Sequence, residues 1–418
     1  MLIILSIVIC IIVMLLLIMY LNLDGIYTSI FKYTLNKIKH GNLIIYDAQT
    51  STELFKVFRT DEYVGEIYTD DFAGLCKQVV KSGDIGLGEM YMKGEWYSPD
   101  MLSLFMLFNK NDKYIQKQIV CLVCKSIRNN RKDIQHHYDV GNDFYMHFLR
   151  DDLHAYTCGI FQCAKDDLNT AQYNKVNIII KKLESEPGQT ILDAGCGWGS
   201  IANYVGNQTK STIHGVTLSD EQEKFILQNY EKIKVFNMNI LDVPISNNNV
   251  YDKIYSIGIM EHIKCTDYSK FFKRLYDLLK PGGRLVLHCI TYSSLKLSTC
   301  KHQNETFVSK HIFPGGQVPT REWIMKSANE DNEFKLLHME VYGGQHYART
   351  LSIWRKNMME RKKEIKMLGY SDEFIRKYEY YMVECESAFL SDRLNVTHFV
   401  FEKIDDLKIE FKCKMTKN

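Results

Sequence analysis

TILDAGCGWGS, residues 190–200, is the stretch on which the fold turns. Ile191 and Leu192 form a short apolar run that ends in Asp193, and a Gly-x-Gly-x-Gly turn follows at Gly195, Gly197 and Gly199. Apolar residues then resume at helical spacing: Ile201, Ala202, Tyr204 and Val205. The pattern predicts a buried strand, a tight turn and a helix start. Glycines let a backbone come close to a ligand, and a helix N-terminus presents N–H groups without partners. The turn alone is also compatible with a strand–helix connection that binds nothing, so its surroundings decide.

Outward from this turn, strand-like runs alternate with helical ones. The strand candidates are 190–195, 211–217, 235–240, 251–258 and 284–290, with 335–342 and 397–403 completing a set of seven. Such alternation predicts an α/β fold with a mostly parallel seven-stranded sheet and helices on both faces. Ligands of such sheets sit at the carboxyl ends of the strands. The residues at those ends are Gly195 to Gly199, then Thr217 to Gln222, then Gly258, Met260, Glu261 and His262, then His288, Cys289 and Ile290. Hydroxyl, amide, acid and imidazole groups would therefore surround one cleft. The stretch 348–390, rich in Lys, Glu and Tyr, reads as a helical cap.

The N-terminus differs in kind. Residues 1–23 carry no charge and are dominated by Ile, Leu, Val and Met, enough for a helix across a bilayer. Asp24 is the first charge, and Lys32, Lys37 and Lys39 follow, which places the bulk of the chain on the cytoplasmic side of a single-pass membrane protein. A cleaved signal would want basic residues before the apolar run and small ones after it. The sequons at Asn207, Asn304 and Asn395 would then stay unglycosylated. A linker over 24–42, a small lipid-associated domain over 43–115, a helical connector over 116–135 and a catalytic domain over 136–418 complete the predicted order. Within the small domain, Phe72, Leu75, Val79 and Val80 mark an amphipathic helix, Gly83, Gly86, Gly88 and Gly94 mark turns, and Leu102 to Phe108 a second apolar helix. The basic residues Lys125, Arg128, Arg131 and Lys132 read as a solvated helix face, or as a contact for anionic head groups.

Composition excludes some classes. Among 418 residues, 46% are hydrophobic, which supports a large core, and a net charge of +2 gives no reason to expect nucleic acid. Twelve cysteines are scattered. Cys121 and Cys124 make one CxxC, but no second pair follows at zinc-site spacing, so no metal is expected and free thiols fit better than disulfides.

Eight stretches in order carry a family resemblance: QHHYDVGNDFY (135–145), YTCGIF (156–161), ILDAGCGWGS (191–200), GVTLSDEQ (215–222), SIGIMEHI (256–263), LKPGGRLVLHCI (279–290), HIFPGGQVP (311–319) and HYARTLSIW (346–354). With them the chain resembles the cyclopropane-fatty-acyl-phospholipid synthase and mycolic acid methyltransferase family. SGDIGLGEMYMKGEW (82–96) is similar to the extra N-terminal domain of its longer members. The resemblance runs from about residue 43 to the C-terminus.

The resemblance implies a Rossmann-like methyltransferase fold with S-adenosylmethionine as cofactor. Tyr156 and Thr157 would touch or cover its methionine part. Asp193, Ala194, Gly195, Cys196, Gly197, Trp198 and Gly199 would form the cofactor turn. Thr217, Leu218, Ser219, Asp220, Glu221 and Gln222 would hold the ribose and its neighbours. Ile240 and Leu241 would flank the adenine, although the Asn-rich loop before Tyr251 departs from the family in length. It also implies a bound bicarbonate as the base, held by Cys158 and Ile290 through backbone groups and by Glu261, His288 and Tyr347. Cys385 matches a cysteine suspected of catalysis, but the implied chemistry needs no thiol nucleophile, and a buried structural cysteine fits equally well.

That chemistry methylates a cis alkene in an acyl chain, passes through a carbocation, and closes a cyclopropane by removing a proton. Such a site must exclude water and stabilise positive charge. Glu261 alone could be a helix-start carboxylate, His288 a core histidine and Tyr347 a packing tyrosine; together they suit an anion. The expected partners are a membrane phospholipid and the bilayer, and the question of a homodimer stays open. A methyl-branched product, an amine N-methyltransferase similar to this family, and a non-catalytic lipid-binding relative are the rival readings.

Overall fold

The computed structural model describes residues 23–60, 62–123, 141–244, 246, 248–293, 305–330 and 334–404. They fall into two compact units, one within residues 1–130 and 369–387, the other within 131–368 and 388–418. The predicted anchor, residues 1–23, lies outside the described residues except for Leu23, and the basic segment 125–132 lies wholly outside them. Among the described residues no helix is long and apolar enough to cross a membrane.

The first unit opens with a helix, Leu23–Leu35, where a linker is expected; Phe31, Thr34 and Leu35 are buried on one of its faces. Four strands follow: β1 (Asn42–Asp47), β2 (Glu53–Val57), β3 (Val64–Thr69) and β4 (Trp96–Tyr97), in the order β2-β1-β3-β4. β1 and β3 run parallel, and the outer pairs are antiparallel. Tyr46, Tyr68 and Tyr97 stack across β1, β3 and β4 with ring centroids 4.9 and 5.0 Å apart.

Three of the glycines expected in turns are not there. Gly83, Gly86 and Gly88 lie inside the helix Phe72–Lys93, which kinks at Gly83 (φ 59°, ψ −131°). The kink brings the Gln78 carbonyl oxygen to 2.3 Å from where a Cβ on Gly86 would stand. Glycine is needed there for the close approach of two backbone segments rather than for a turn. Gly94 does end the helix, in the left-handed conformation common at helix C-termini.

Part of the stretch read as a cap also belongs to this unit. The helix Asp372–Leu390 sends Tyr380, fully buried, against Tyr91, Trp96 and Phe105, with ring centroids 5.1–6.5 Å apart. The remaining cap helices, Gln345–Glu360 and Lys362–Met367, fall within the second unit.

The second unit holds a seven-stranded sheet in the order β10-β11-β9-β8-β5-β6-β7. Its strands are β5 (Thr190–Ala194), β6 (Thr212–Thr217), β7 (Ile233–Asn237), β8 (Tyr251–Ile257), β9 (Leu279–Tyr292), β10 (Phe334–Tyr342) and β11 (Leu394–Lys403). Neighbours from β7 to β9 pair in parallel; β11 runs antiparallel to both β9 and β10. Two apolar clusters cover the faces, one around Phe271, Phe272 and Leu275, the other around Val176, Ile179 and Val205. A sheet covered on both faces leaves six of the seven residues of β8 buried. All seven predicted strands are present, with β7 shifted toward its N-terminus and β9 and β11 longer than expected.

One thiol departs from expectation. Cys265 is disulfide-bonded, whereas Cys76, Cys158, Cys163, Cys196, Cys289 and Cys385 are free. Sequence spacing does not report which cysteines meet in space.

Candidate active site

The turn after β5 is shaped by its glycines. Gly195, Gly197 and Gly199 have φ of 112°, 53° and 82°, the left-handed region that disfavours side chains. A Cβ on Gly195 would stand 2.3 Å from the Ile259 side chain, whereas one on Gly197 would meet nothing within 4 Å. Gly197 thus faces an open cradle that a side chain would fill. Gly199 heads the helix Ser200–Thr209, and the Cys196 N–H donates to the Val216 carbonyl at 2.9 Å, tying the turn to β6. Asp193 is buried and accepts a hydrogen bond from the Tyr255 hydroxyl at 2.7 Å. Burial pushes its carboxyl up to about 7, partly opposed by that bond. The Trp198 indole donates to Asn142 at 2.9 Å and packs on Tyr145, 5.4 Å between ring centroids.

The loop after β6 is held by its own polar groups. The Thr217 hydroxyl donates to the Gln222 side chain at 2.6 Å. Ser219 caps the helix Asp220–Asn229 by accepting from the Gln222 N–H, and Asp220 and Glu221 lie in its first turn, where the helix dipole favours acids. Leu218 is 72% exposed. Ile240 and Leu241 lie in a short 3-10 turn, Ile240–Asp242, and join the apolar cluster on that side of the sheet.

The far end of the site gathers around β9. Glu261 follows β8 in the 3-10 turn Met260–His262. One of its carboxyl oxygens accepts the Ile290 N–H at 2.6 Å; the other, Oε2, is buried and has no partner among the described residues. Burial pushes the acid up to about 7, opposed by the Ile290 bond. At neutral pH a substantial fraction therefore keeps its proton. His288 stands two residues before Ile290 on β9, opposite His398 on β11, with His288 Nδ1 2.7 Å from His398 Nε2. Cys158 packs with Ile160 and Val396, and Tyr342 and Tyr347 pack against that group; Val396 pairs with Ile290 across the strands. Contacts thus join Glu261 to Ile290 and Cys158 to Tyr347 beside Val396, the strand partner of Ile290, with His288 two residues along β9. Cys385 sits on the helix Asp372–Leu390, at a position that belongs to the first unit. Burial holds its thiol well above the ordinary value.

Tyr156 lies in an aromatic enclosure, with ring centroids 5.2 Å from Tyr145, 5.7 Å from Phe148, 5.2 Å from Trp354 and 6.1 Å from Phe313. Ring faces attract positive charge. A Cβ on Gly258 would stand 2.9 Å from the Thr157 methyl, so the end of β8 passes directly under Thr157.

Sequence reasoning missed several of these residues. Lys175 is fully buried, donating to the Thr157 hydroxyl at 2.6 Å and to the Gln172 carbonyl at 2.5 Å. Gln172 in turn donates to the carbonyls of Thr157 and Ala155 at 2.8 and 3.3 Å. The pair fixes the segment that carries Tyr156 and Cys158. A signal was available: Gln172 and Lys175 share the buried stripe of the helix Leu168–Leu183 with Ala171, Val176 and Ile179. Burial pushes Lys175 down to about 8 and the nearby Asp151 up to about 6.

The chain is similar to known proteins of one family. Residues 125–399 match the family model for mycolic acid cyclopropane synthetase. The cyclopropane-fatty-acyl-phospholipid synthase of Escherichia coli strain K12 is 30% identical over 339 residues, 78% of this chain and 85% of that one. The solved cyclopropane synthase MmaA2 from Mycobacterium tuberculosis is 30% identical, with a TM-score of 0.59 over 67% of this chain and 100% of that one. The mycolic acid cyclopropane synthase CmaA1, solved with SAH and CTAB, is 28% identical with a TM-score of 0.58 over the same shares. The chain therefore belongs to the mycolic acid cyclopropane synthetase family, within the S-adenosylmethionine-dependent methyltransferases.

Proposed function

We propose that this enzyme transfers a methyl group from S-adenosylmethionine to the double bond of unsaturated acyl chains in phospholipids and closes it to a cyclopropane. The observation that carries the reading is Glu261: a buried acid with one oxygen on the Ile290 N–H and the other turned to no partner among the described residues, beside a neutral His288. A protonated acid, an imidazole and the Tyr347 phenol are all donors, so the set fits a small anion.

The cofactor's residues would be the turn Asp193 to Gly199, with Gly197 leaving the cradle open, the loop Thr217 to Gln222, Tyr156 and Thr157, and Ile240 and Leu241. S-adenosylmethionine supplies an electrophilic methyl group. The aromatic enclosure of Tyr156, Trp354 and Phe313 excludes water and stabilises positive charge on the alkene carbon. Glu261, His288, Tyr347 and the backbone of Cys158 and Ile290 would hold a bicarbonate, which would supply the base for the ring-closing proton. Glu261 and His288 would orient it by donating to it.

The apolar residues 1–23 would anchor the chain in the membrane, with the catalytic domain on the cytoplasmic side. Carbonate extraction checks this: full-length chain that washes off at high pH would overturn the anchor. The function itself is tested by mass spectrometry of lipids from cells expressing the chain. Monounsaturated acyl chains should gain one CH2, and fragmentation separates ring from methyl branch. Unchanged lipids, with methylation of an amine by the same preparation, would replace this reading by an N-methyltransferase.

A further inference from the structure

Behind His288 a line of polar groups runs toward the surface. His398 Nδ1 lies 3.0 Å from the Lys182 ammonium. Lys182 also reaches Glu340 Oε2 at 2.7 Å and the Tyr342 oxygen at 3.3 Å, and the Tyr342 hydroxyl donates to that same carboxylate oxygen at 2.7 Å. His288 and His398 are buried; the Glu340 side chain is 43% exposed. Lys182 comes from the helix Leu168–Leu183, Glu340 and Tyr342 from β10, and the two histidines face each other across β9 and β11.

Counting protons along this line fixes the state of both rings. An ammonium has three N–H donors and no lone pair. Lys182 has three acceptors in reach: the Glu340 carboxylate, the Tyr342 oxygen, whose own proton is turned to Glu340, and His398 Nδ1. His398 Nδ1 must therefore offer a lone pair. Burial, with Lys175 and Lys182 nearby, holds both histidines well below their ordinary values, so each is neutral and carries one proton. The His398 proton is then on Nε2, where it donates to His288 Nδ1. The His288 proton is left on its own Nε2, and no described side chain is hydrogen-bonded to that atom.

We propose that Lys182 is a positioning residue which, through His398, fixes His288 in the tautomer that presents an N–H to an anion at the Glu261–Ile290 end of the site. The anion rests on the function proposed above; the tautomer does not. In the other tautomer His288 would turn a lone pair toward the anion and repel it. The ring nitrogen that carries the proton is set by the bond the other one makes. Here that setting is transmitted one residue further, from a lysine whose carboxylate partner reaches solvent.

The test is nuclear magnetic resonance of the full chain with 15N-labelled histidine, which distinguishes protonated from unprotonated ring nitrogens. Loss of signals in His288→Ala and His398→Ala assigns them. Both rings should carry their proton on Nε2. Lys182→Met should mix the tautomers of His288 and raise the bicarbonate concentration for half-maximal turnover about tenfold, with cofactor affinity unchanged. Lys182→Arg should restore both. If Lys182→Met does not fold, His398→Leu should release the tautomer while His398→Gln, whose amide still donates to His288, should retain it. A His288 proton on Nδ1 in the natural protein, or a tautomer indifferent to these changes, would overturn the proposal. The spectra need no turnover, so a correct tautomer in a protein that does not alter acyl chains would condemn the function and leave the relay standing. A correct tautomer with active enzyme indifferent to bicarbonate would remove the anion, and with it the role given to Lys182.

Discussion

The two ends of the site are made of different materials. The end proposed for the cofactor, Asp193 to Gly199, is mostly backbone: seven consecutive residues whose glycines hold left-handed angles, with open space at Gly197. The opposite end is mostly side chains, with Glu261 after β8, His288 on β9, Tyr347 on the helix Gln345–Glu360 and His398 on β11. The first depends on what is absent, a Cβ. The second depends on burial, which raises the acid Glu261 to about 7 and keeps two imidazoles neutral. Damage to the first should therefore be steric and complete, and damage to the second graded and sensitive to pH.

Gly197→Val should have the largest effect. A β-branched residue at φ 53° is strained, and its methyls would fill the cradle. S-adenosylmethionine affinity should fall by on the order of a hundredfold or more, read by calorimetry. Unchanged affinity would take the turn out of the site and dissolve the contrast.

Glu261→Gln and His288→Ala should each lower kcat by on the order of a hundredfold, as expected for the loss of an acid–base assembly. Cofactor affinity should stay within about twofold, because the cofactor end is built from other residues. Full activity in both variants would show that the buried acid serves packing alone.

The same acid should also appear in stability. Glu261 is raised from 4.5 to about 7 in the folded chain, so unfolding releases its proton between those values. The unfolded state then binds fewer protons, and stability falls as pH rises through that window. Glutamine has no proton to release. Glu261→Gln should therefore gain about 2 kcal/mol on the natural protein between pH 4.5 and 7; the full shift is worth about 3 kcal/mol, and relaxation around the charge reduces it. Asp193, raised to about 7, is common to both proteins and cancels. Urea unfolding across the window is the measurement, and a difference flat with pH would mean that the acid end is open to water.

Cys385→Ala should do least. Its thiol is held protonated by burial in the first unit, and a thiol is a poor nucleophile. Turnover within about twofold of the natural protein is expected, whereas a hundredfold loss would restore the cysteine to the chemistry.

The same contrast explains what the sequence disclosed. A backbone-built turn is contiguous, so Asp193 to Gly199 could be read directly, as could the strands on either side. Glu261 and His288 came within reach because they end strands of a parallel sheet. Lys182 and His398 did not, since their meeting depends on β11 running antiparallel beside β9, which no local pattern states. Gly86 misled for a related reason: its glycine answers to the Gln78 carbonyl across a kink. The strands β1 to β4 are short, two to six residues, and only partly buried, so their periodicity is weak.

The helix Asp372–Leu390 carries a consequence for synthesis. Tyr380 fills a space among Tyr91, Trp96 and Phe105 that residues before 130 cannot fill themselves. A nascent chain leaving the ribosome therefore has to hold its first unit unfinished, aromatic rings uncovered, until the second unit has been almost wholly translated. Order of translation is not order of completion, and this is the interval in which a chaperone, or a premature stop, would matter most.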